Sequence, residues 1–184
     1  MKRALILLSL LALTAQGDPL PKGWIHRGNA PDSYLSGIDT AIKAAGQGSG
    51  FLASKPGADI PDRGFGTVMQ VVPADAYRGH KVRFRAQVRA QNVKGWAGLW
   101  MRVDGPGSAP GNVLSFDNMQ DRAITGTADW TPYEIVLDVP HEAKSISFGI
   151  LLADKGQVWI DDITFTPVDG AAGEGVPAGL GFEP

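Results

Sequence analysis

The strongest constraint on the fold is a two-residue alternation of apolar and polar side chains. In the segment KVRFRAQVR, residues 81–89, the even-numbered positions are apolar and the odd-numbered ones polar. In GWAGLWMRVDG, residues 95–105, the odd-numbered positions from Ala97 to Val103 are apolar. Because successive side chains of a strand point to opposite faces, both segments predict strands with one face in a core.

Eight segments predict strands. They are residues 50–54, 66–72, 81–91, 96–103, 113–116, 133–139, 145–152 and 158–166. Short strands at this spacing are typical of an antiparallel sandwich or barrel, and the 24 Gly and 13 Pro suit the turns between them. The sequence therefore predicts one all-β domain over residues 18–168.

The two alternating segments are separated by AQNVKG, residues 90–95, which predicts a turn and an antiparallel hairpin. A hairpin would place the outward side chains of both strands on one sheet face. The predicted face carries Trp96, Trp100, Arg102, Arg83, Arg85 and Gln87. Gln70 would join it if Met69 and Val71 point inward.

A face with aromatic rings and polar donors suits a sugar. Rings stack on the apolar face of the sugar, while guanidinium and amide groups bind its hydroxyls. Arginine also pairs bidentately with carboxylates, which favours acidic sugars or other anions. Asn118, in the polar loop FDNMQDR, is a further candidate because loops on rigid sandwiches often carry binding groups.

The alternative is structural. A long loop would fold across the face and bury Trp96 and Trp100 as a second small core. The arginines would then pair with Asp104, Asp117 or Asp121, and Asn118 would serve its own turn.

The last strand, QVWIDDITF, does not alternate simply. If Trp159, Ile163 and Phe165 point inward, Asp161 does so too, and the opposite parity buries Asp162. Either way one carboxylate lies near the core, where it needs backbone donors, a hydroxyl or a cation.

The two ends of the chain differ in composition from the predicted β domain. Lys2 and Arg3 precede the apolar run ALILLSLLALTA, and small residues follow at Ala15 and Gly17, which predicts a signal peptide over residues 1–17. We expect export to the periplasm or the medium and no membrane span after cleavage. The composition of residues 169–184, rich in Gly, Ala and Pro, predicts a flexible or loosely docked tail.

The order of three segments resembles a known family. GWAGLWMRVDG, LSFDNMQDRAITGTADWTPYEIVLDVP and AKSISFGILLADKGQVWIDDITF are similar to a bacterial β-sandwich family allied to the carbohydrate-binding modules of galactose-binding-like jelly-roll type. Such domains are mostly non-catalytic and also occur beside enzymes and in transcriptional regulators. The resemblance implies a jelly roll of about eight antiparallel strands. It also implies a structural calcium ion at Asp161 or Asp162, although no acidic residue directly precedes Trp24 as a partner; no other cofactor is required.

The composition and motifs favour binding over catalysis. The chain has no Cys. Its formal charge is −2, or −4 without Lys2 and Arg3, so it lacks the excess of basic residues that is typical of proteins that bind nucleic acid. His26, His80 and His141 lack metal-ligand spacing, and no hydrolase motif is present. We therefore expect an exported, non-catalytic binding module for carbohydrate. The alternatives are a structural or protein-interaction domain of the bacterial envelope, and a small hydrolase with a cryptic site.

Overall fold

The computed structural model describes residues 19–107, 112–168 and 179–183, and these residues contain nine strands. The strands are β1 (Ile25–Gly28), β2 (Tyr34–Asp39), β3 (Ser49–Ser54), β4 (Phe65–Pro73), β5 (His80–Asp104), β6 (Val113–Asp117), β7 (Ile124–Val139), β8 (Ser145–Ala153) and β9 (Gln157–Pro167). Three 3-10 helices lie in the connections, at Pro31–Ser33, Asp75–Tyr77 and Gln120–Arg122. The predicted signal peptide, residues 1–17, lies outside the described residues.

The strands form two layers that share β5. The first half of β5 pairs with β7 and β9, whereas the second half, residues 96–104, pairs with β8, with β6 beside its end. We call β1, β4, β8, the second half of β5 and β6 the front sheet. The back sheet comprises β7, the first half of β5, β9, β3 and β2. All of these pairs are antiparallel, which confirms the predicted all-β sandwich.

The core lies between the sheets and is centred on three phenylalanine rings. Phe148 comes from the front sheet, and its ring centroid lies 4.4 Å from that of Phe165 and 5.0 Å from that of Phe84. Both partners belong to the back sheet, and all three side chains are fully buried. Offset and tilted ring contacts of this kind add to the free energy gained by burying apolar area. The two layers are thus held together by contacts between their inward faces.

The predicted hairpin is wrong, because residues 80–104 form one long strand. Between Val88 and Ala97 the pairing register shifts three times, and Asn92 adopts a left-handed conformation with φ of 53°. Bulges of this kind bend a strand without reversing it. Ala90 and Val93 stay buried through the bend, so the inward apolar series continues from one sheet into the other.

A bulge also explains the irregular alternation of β9. Asp162 has a φ of 47°, and the register against β5 shifts between Arg85 and Gln87. Val158 and Ile160 point into the core before the bulge, and Ile163 and Phe165 do so after it. Trp159 and Asp161 therefore share the outer side of the back sheet, and the prediction that Trp159 points inward with Phe165 is wrong.

The last described residues, 179–183, pack against the sandwich; they belong to the segment 169–184, for which the composition predicted a flexible or loosely docked tail. Phe182 is 1% exposed, and its ring centroid lies 4.7 Å from that of Trp24. A Cβ atom added to Gly50 would come within 2.3 Å of this ring, so only glycine leaves room for it. The carbonyl of Gly179 accepts hydrogen bonds from Trp24 Nε1 and Gln70 Nε2. An apolar anchor at the end of the tail thus extends the core.

Replacing Phe182 with Ala tests this anchor. The substitution removes a buried ring and leaves a cavity, so the free energy of unfolding should fall by about 3–5 kcal/mol. Denaturant titration of the full chain measures the change. Glu183→Ala, at an exposed neighbour, is the control and should stay within about 0.5 kcal/mol. Equal stabilities of the two variants would show that the terminal residues add nothing to the fold.

Candidate functional site

The outward side chains of the front sheet form aligned rows across its strands. One row contains Ile25, Met69, Gly149 and Trp100, in the order β1, β4, β8 and β5. The next row contains Val71, Ser147, Arg102 and Phe116, in the order β4, β8, β5 and β6. The central strand β8 thus presents small side chains between larger ones on β4 and β5. This difference in size produces a groove along β8.

The groove has two adjoining sections. The first, of about 400 Å³, is lined by Arg27, Gly28, Phe65, Thr67, Met69, Trp96, Trp100, Arg102, Phe116, Asn118 and Leu151. The second, of about 470 Å³, shares Arg27, Met69 and Arg102 and continues past Ser147 and Ser145 to Asp104 and Lys144. Concave surfaces that combine apolar walls with a few polar groups are typical ligand sites.

Trp100 forms part of the groove floor. Its Nε1 donates a hydrogen bond of 2.8 Å to Thr67 Oγ1, and the Thr67 hydroxyl donates one of 2.7 Å to the carbonyl of Ile150. Since Thr67 lies on β4, two strands from Trp100, the indole crosses β8, where Gly149 has no side chain. Trp100 is only 9% exposed, so its ring is fixed in place. The more accessible rings of the groove are Phe65, Trp96 and Phe116, and Phe116 is 53% exposed.

The loop after β6 lies across Gly98, between the two tryptophans. A Cβ atom on Gly98 would lie 3.0 Å from the Asn118 carbonyl oxygen and 3.1 Å from Met119 Cβ. Glycine therefore lets the loop approach the strand closely. The loop brings Asn118 to the groove edge, where its Oδ1 accepts a hydrogen bond from the Gln120 N–H.

An ion pair stabilises this loop. Arg122 Nη2 lies 2.6 Å from Asp117 Oδ2. Burial by itself raises the pKa of Asp117. Hydrogen bonds from Arg122 and from the Met119 N–H, together with the positive charge of Arg122, have a larger opposite effect, so the pKa of Asp117 lies below its usual value. The carboxylate stays ionised, and the loop that carries Asn118 keeps its shape.

Arg102 and Asp104 form an ion pair inside the groove. They are two residues apart on one strand and so share a face. Arg102 Nε donates a hydrogen bond of 3.0 Å to Asp104 Oδ2. Asp104 Oδ1 lies 2.9 Å from the same nitrogen but receives no well-directed hydrogen bond within the described part of the chain, although it is buried. The carboxylate thus holds Arg102 in place, and the Nη donors of the guanidinium have no partner among the described residues.

The structure separates the residues predicted to share one face. Trp96, Trp100, Arg102 and Asn118 line the groove. The other predicted members, Arg83, Arg85 and Gln87, lie on the outer face of the back sheet, because β5 passes between the sheets. There Arg83 and Lys81 pair with Glu134 and Asp138 on β7 at 3.4 and 3.7 Å. Exposed pairs of this type stabilise a sheet only weakly.

Gln70 is a core residue, so the prediction that it joins the tryptophans is wrong. Val68 and Gln70 are buried, while Met69 and Val71 line the groove. The parity of β4 is therefore the opposite of the one that would expose Gln70. Its amide donates instead to the Gly179 carbonyl at 2.9 Å.

A second small core does exist, but on the back sheet. It consists of Phe51, Ala53 and Trp159, with Leu35, Ile42 and Trp130 packed against them. Trp159 Nε1 donates to Asp39 Oδ2 at 2.9 Å, and the guanidinium of Arg89 lies 5.7 Å from the ring centroid. A second small core is what the structural alternative predicted around Trp96 and Trp100, and here it forms around a different tryptophan.

Asp161 is the buried carboxylate of the pair, although it lies on the outer side of the back sheet and not in the core between the sheets. It is 6% exposed, and its Oδ2 accepts hydrogen bonds from the backbone N–H groups of Ala44 and Ala45 at 2.7 and 2.8 Å. Its Oδ1 accepts one from the Asp162 N–H at 2.7 Å. Sequence analysis predicted backbone donors, a hydroxyl or a cation as partners of this carboxylate, and the partners present are backbone donors.

These contacts do not fit a calcium ion at Asp161. Calcium binds about six to eight oxygen atoms, whereas three N–H donors point at this carboxylate. Asp162 is exposed, and among residues 19–107, 112–168 and 179–183 no cluster of three or more His, Asp or Glu could hold a metal ion. Within the same residues, no helix is both long and apolar enough to cross a membrane.

Sequence reasoning missed several residues of the groove, among them Arg27, Phe116 and Lys144. Arg27 lies on a short strand without clear alternation, Phe116 ends an apolar segment that resembles a core strand, and Lys144 lies in a turn. Arg27 and Phe116 carried no signal that distinguishes them from ordinary surface or core residues. For Lys144, its position directly before a strongly apolar strand was the one available hint.

Comparison with known proteins gives one relative by sequence. No protein-family model matches the chain. The uncharacterized HTH-type transcriptional regulator YbfP of Bacillus subtilis is 44% identical over 157 residues, which cover 85% of this chain and 50% of the regulator. The chain thus spans about half the length of the curated relative that it matches.

Solved structures give the fold. The CBM22-1 xylan-binding domain of Paenibacillus barcinonensis Xyn10C has a TM-score of 0.56 at 14% identity, over 82% of this chain and 89% of that domain. The enzymatically active domain of tailspike protein 4 from bacteriophage CBA120 has a TM-score of 0.58 at 12% identity, over 80% of this chain and 20% of that one. The chain therefore has the jelly-roll sandwich fold of carbohydrate-binding modules. At these identities the likeness concerns the fold alone.

A chelator experiment tests the account of Asp161. EDTA should leave the melting temperature unchanged, because backbone N–H groups already occupy the Asp161 carboxylate. Asp161→Asn replaces one acceptor oxygen with a donor and should lower the free energy of unfolding by about 1–3 kcal/mol. Asp162→Asn, at the exposed neighbour, is the matched control and should have little effect. A melting temperature that falls with EDTA and recovers with calcium would contradict this account.

Proposed function

We propose that this chain is a non-catalytic carbohydrate-binding module whose ligand lies in the groove of the front sheet. The observation that carries the proposal is an open groove in which half-exposed Phe116 lies beside Arg102, above a floor formed by Trp100. An exposed aromatic ring next to unpaired donors is the arrangement that sugars require. The shared fold with a xylan-binding domain supports the proposal.

Different side chains of the groove would contact different parts of the sugar. Phe116 and Trp96 would stack on sugar rings, and Trp100 would supply a rigid apolar floor. Arg102 and the Asn118 amide would donate hydrogen bonds to hydroxyl oxygens, while the Asp104 carboxylate would hold Arg102 in position. Because Arg102 and Trp100 are already held by protein partners, little side-chain entropy would be lost on binding.

The exposure of Phe116 disfavours the structural alternative. A loop that covered the face would bury this ring, yet about half of it is accessible within the described part of the chain. A protein partner on this face is the remaining form of that alternative. Catalysis is disfavoured by the single carboxylate among the lining residues described, Asp104, since glycoside hydrolysis typically takes a pair.

Two cellular locations are candidates for this binding module. The apolar run of residues 4–15 behind Lys2 and Arg3 supports export of the domain. The 44% identity to a transcriptional regulator supports a second function, in which the same groove detects a sugar for a regulator. Both functions use the same ligand contacts and differ in location.

Phe116→Ala tests the groove as the binding site. The exposed ring contributes little to the core, so stability should change by less than about 0.5 kcal/mol. Glycan-array binding by the full chain should weaken by about tenfold, because a stacking surface is lost. Val136→Ala removes an exposed apolar side chain from the back sheet and should leave binding unchanged. Equal binding by both variants, or no glycan bound by the unaltered chain, would refute the proposal.

Expression in a bacterial host tests export. An exported chain should appear outside the cytoplasm with an intact mass that corresponds to cleavage before Asp18. A variant with Lys2→Glu and Arg3→Glu should accumulate uncleaved, because the positive n-region is lost. An uncleaved, cytoplasmic wild-type chain would instead favour the regulator function.

A further inference from the structure

The lining of the groove carries more positive than negative charge. Arg27, Arg102 and Lys144 line it, against one carboxylate at Asp104. The lining thus carries a formal charge of +2 in a chain of −2. On the back sheet, Lys81, Arg83 and Arg89 each have a carboxylate within 4 Å, whereas Arg85 has no ion pair among the described residues.

The ion pair with Asp104 orients Arg102 for a second partner. Both contacts to the carboxylate use Nε, and neither Nη atom has a partner within the described residues. The free edge of the guanidinium is a planar pair of donors, which matches the two oxygens of a carboxylate. Arg27 donates one hydrogen bond, to the His26 carbonyl, and Lys144 has no ion pair among the described residues. Three cationic groups can therefore face one ligand.

We infer that the groove selects acidic oligosaccharides, in which the carboxylate of a uronic acid pairs with Arg102 while a sugar ring lies against Phe116. This inference rests on the proposed carbohydrate-binding function and names its ligand class. The apolar walls reduce the screening of charge inside the groove, so an anion gains more there than on an open surface. A planar carboxylate suits the guanidinium edge, and Phe116 is the register partner of Arg102, so one uronic acid residue can reach both.

The test compares acidic oligosaccharides with neutral ones of identical linkage. Oligomers of galacturonate, glucuronate and mannuronate are titrated into the full chain by calorimetry, each beside its carboxyl-reduced form. Polyglutamate serves as an acidic ligand without sugar rings. Titrations at about 50 and 300 mM NaCl measure the electrostatic contribution, because salt screens it.

We expect at least one acidic oligosaccharide to bind about ten- to a hundredfold more tightly than its reduced form, as charged hydrogen bonds require. The difference should shrink at the higher salt concentration. Arg102→Gln should abolish the preference for the acidic form, so that the variant binds the acidic and reduced forms equally. The reduced form should be weakened less than the acidic one, because it loses hydrogen bonds to hydroxyl groups but no ion pair. Arg85→Gln, at an exposed arginine of the back sheet that has no ion pair within the described residues, should retain the preference.

The other outcomes separate the two proposals. Equal binding of acidic and reduced forms, lost in Phe116→Ala, would overturn the acidic preference and leave the carbohydrate function intact. Equal binding of polyglutamate would also overturn the inference, since any polyanion would then suffice. Binding of neither acidic nor neutral oligosaccharides would overturn the carbohydrate function itself.

Discussion

The strand β5 is the constraint on which the rest of the structure depends. It pairs with four other strands and belongs to both layers, so its bend near Asn92 determines how the layers face each other. Its inward side chains form one continuous apolar series. Its outward side chains point away from the core on both halves and therefore reach opposite surfaces of the sandwich. A single strand thus supplies an ion-paired surface on the back sheet and the groove on the front sheet.

The groove depends on a contrast between neighbouring strands of the front sheet. Small residues on β8 leave space, and the hydrogen bonds from Trp100 to Thr67 and from Thr67 to Ile150 fix an indole across that space. The ion pair of Arg102 and Asp104 then holds a guanidinium at the side of this floor. Rigid apolar and polar groups lie side by side before any ligand arrives. Preorganisation of this kind reduces the entropic cost of binding.

Seven of the nine strands were predictable because their apolar alternation is long or their flanking turns are clear. The strands β1 and β2 were missed, since Gly, Asp and Ser interrupt their short patterns and burial comes from neighbours. The residues AQNVKG favoured a turn by composition, yet the flanking apolar series required the chain to continue, and burial of Ala90 and Val93 prevailed. In β9, the left-handed conformation of Asp162 interrupts the alternation, so the residues before it point to the opposite face from the one that the residues after it predicted.

The sequence by itself determined the all-β class, the inward faces of most strands and the association of Trp96, Trp100 and Arg102, because these follow from a two-residue period within one strand. The tertiary structure decided which strands share a sheet, and therefore that Arg83, Arg85 and Gln87 lie opposite the groove while Arg27, Phe116 and Lys144 line it. It also decided that Phe182 completes the core. The physical reason is that side-chain direction is a local property of the backbone, whereas neighbours across a sheet are set by packing between distant segments.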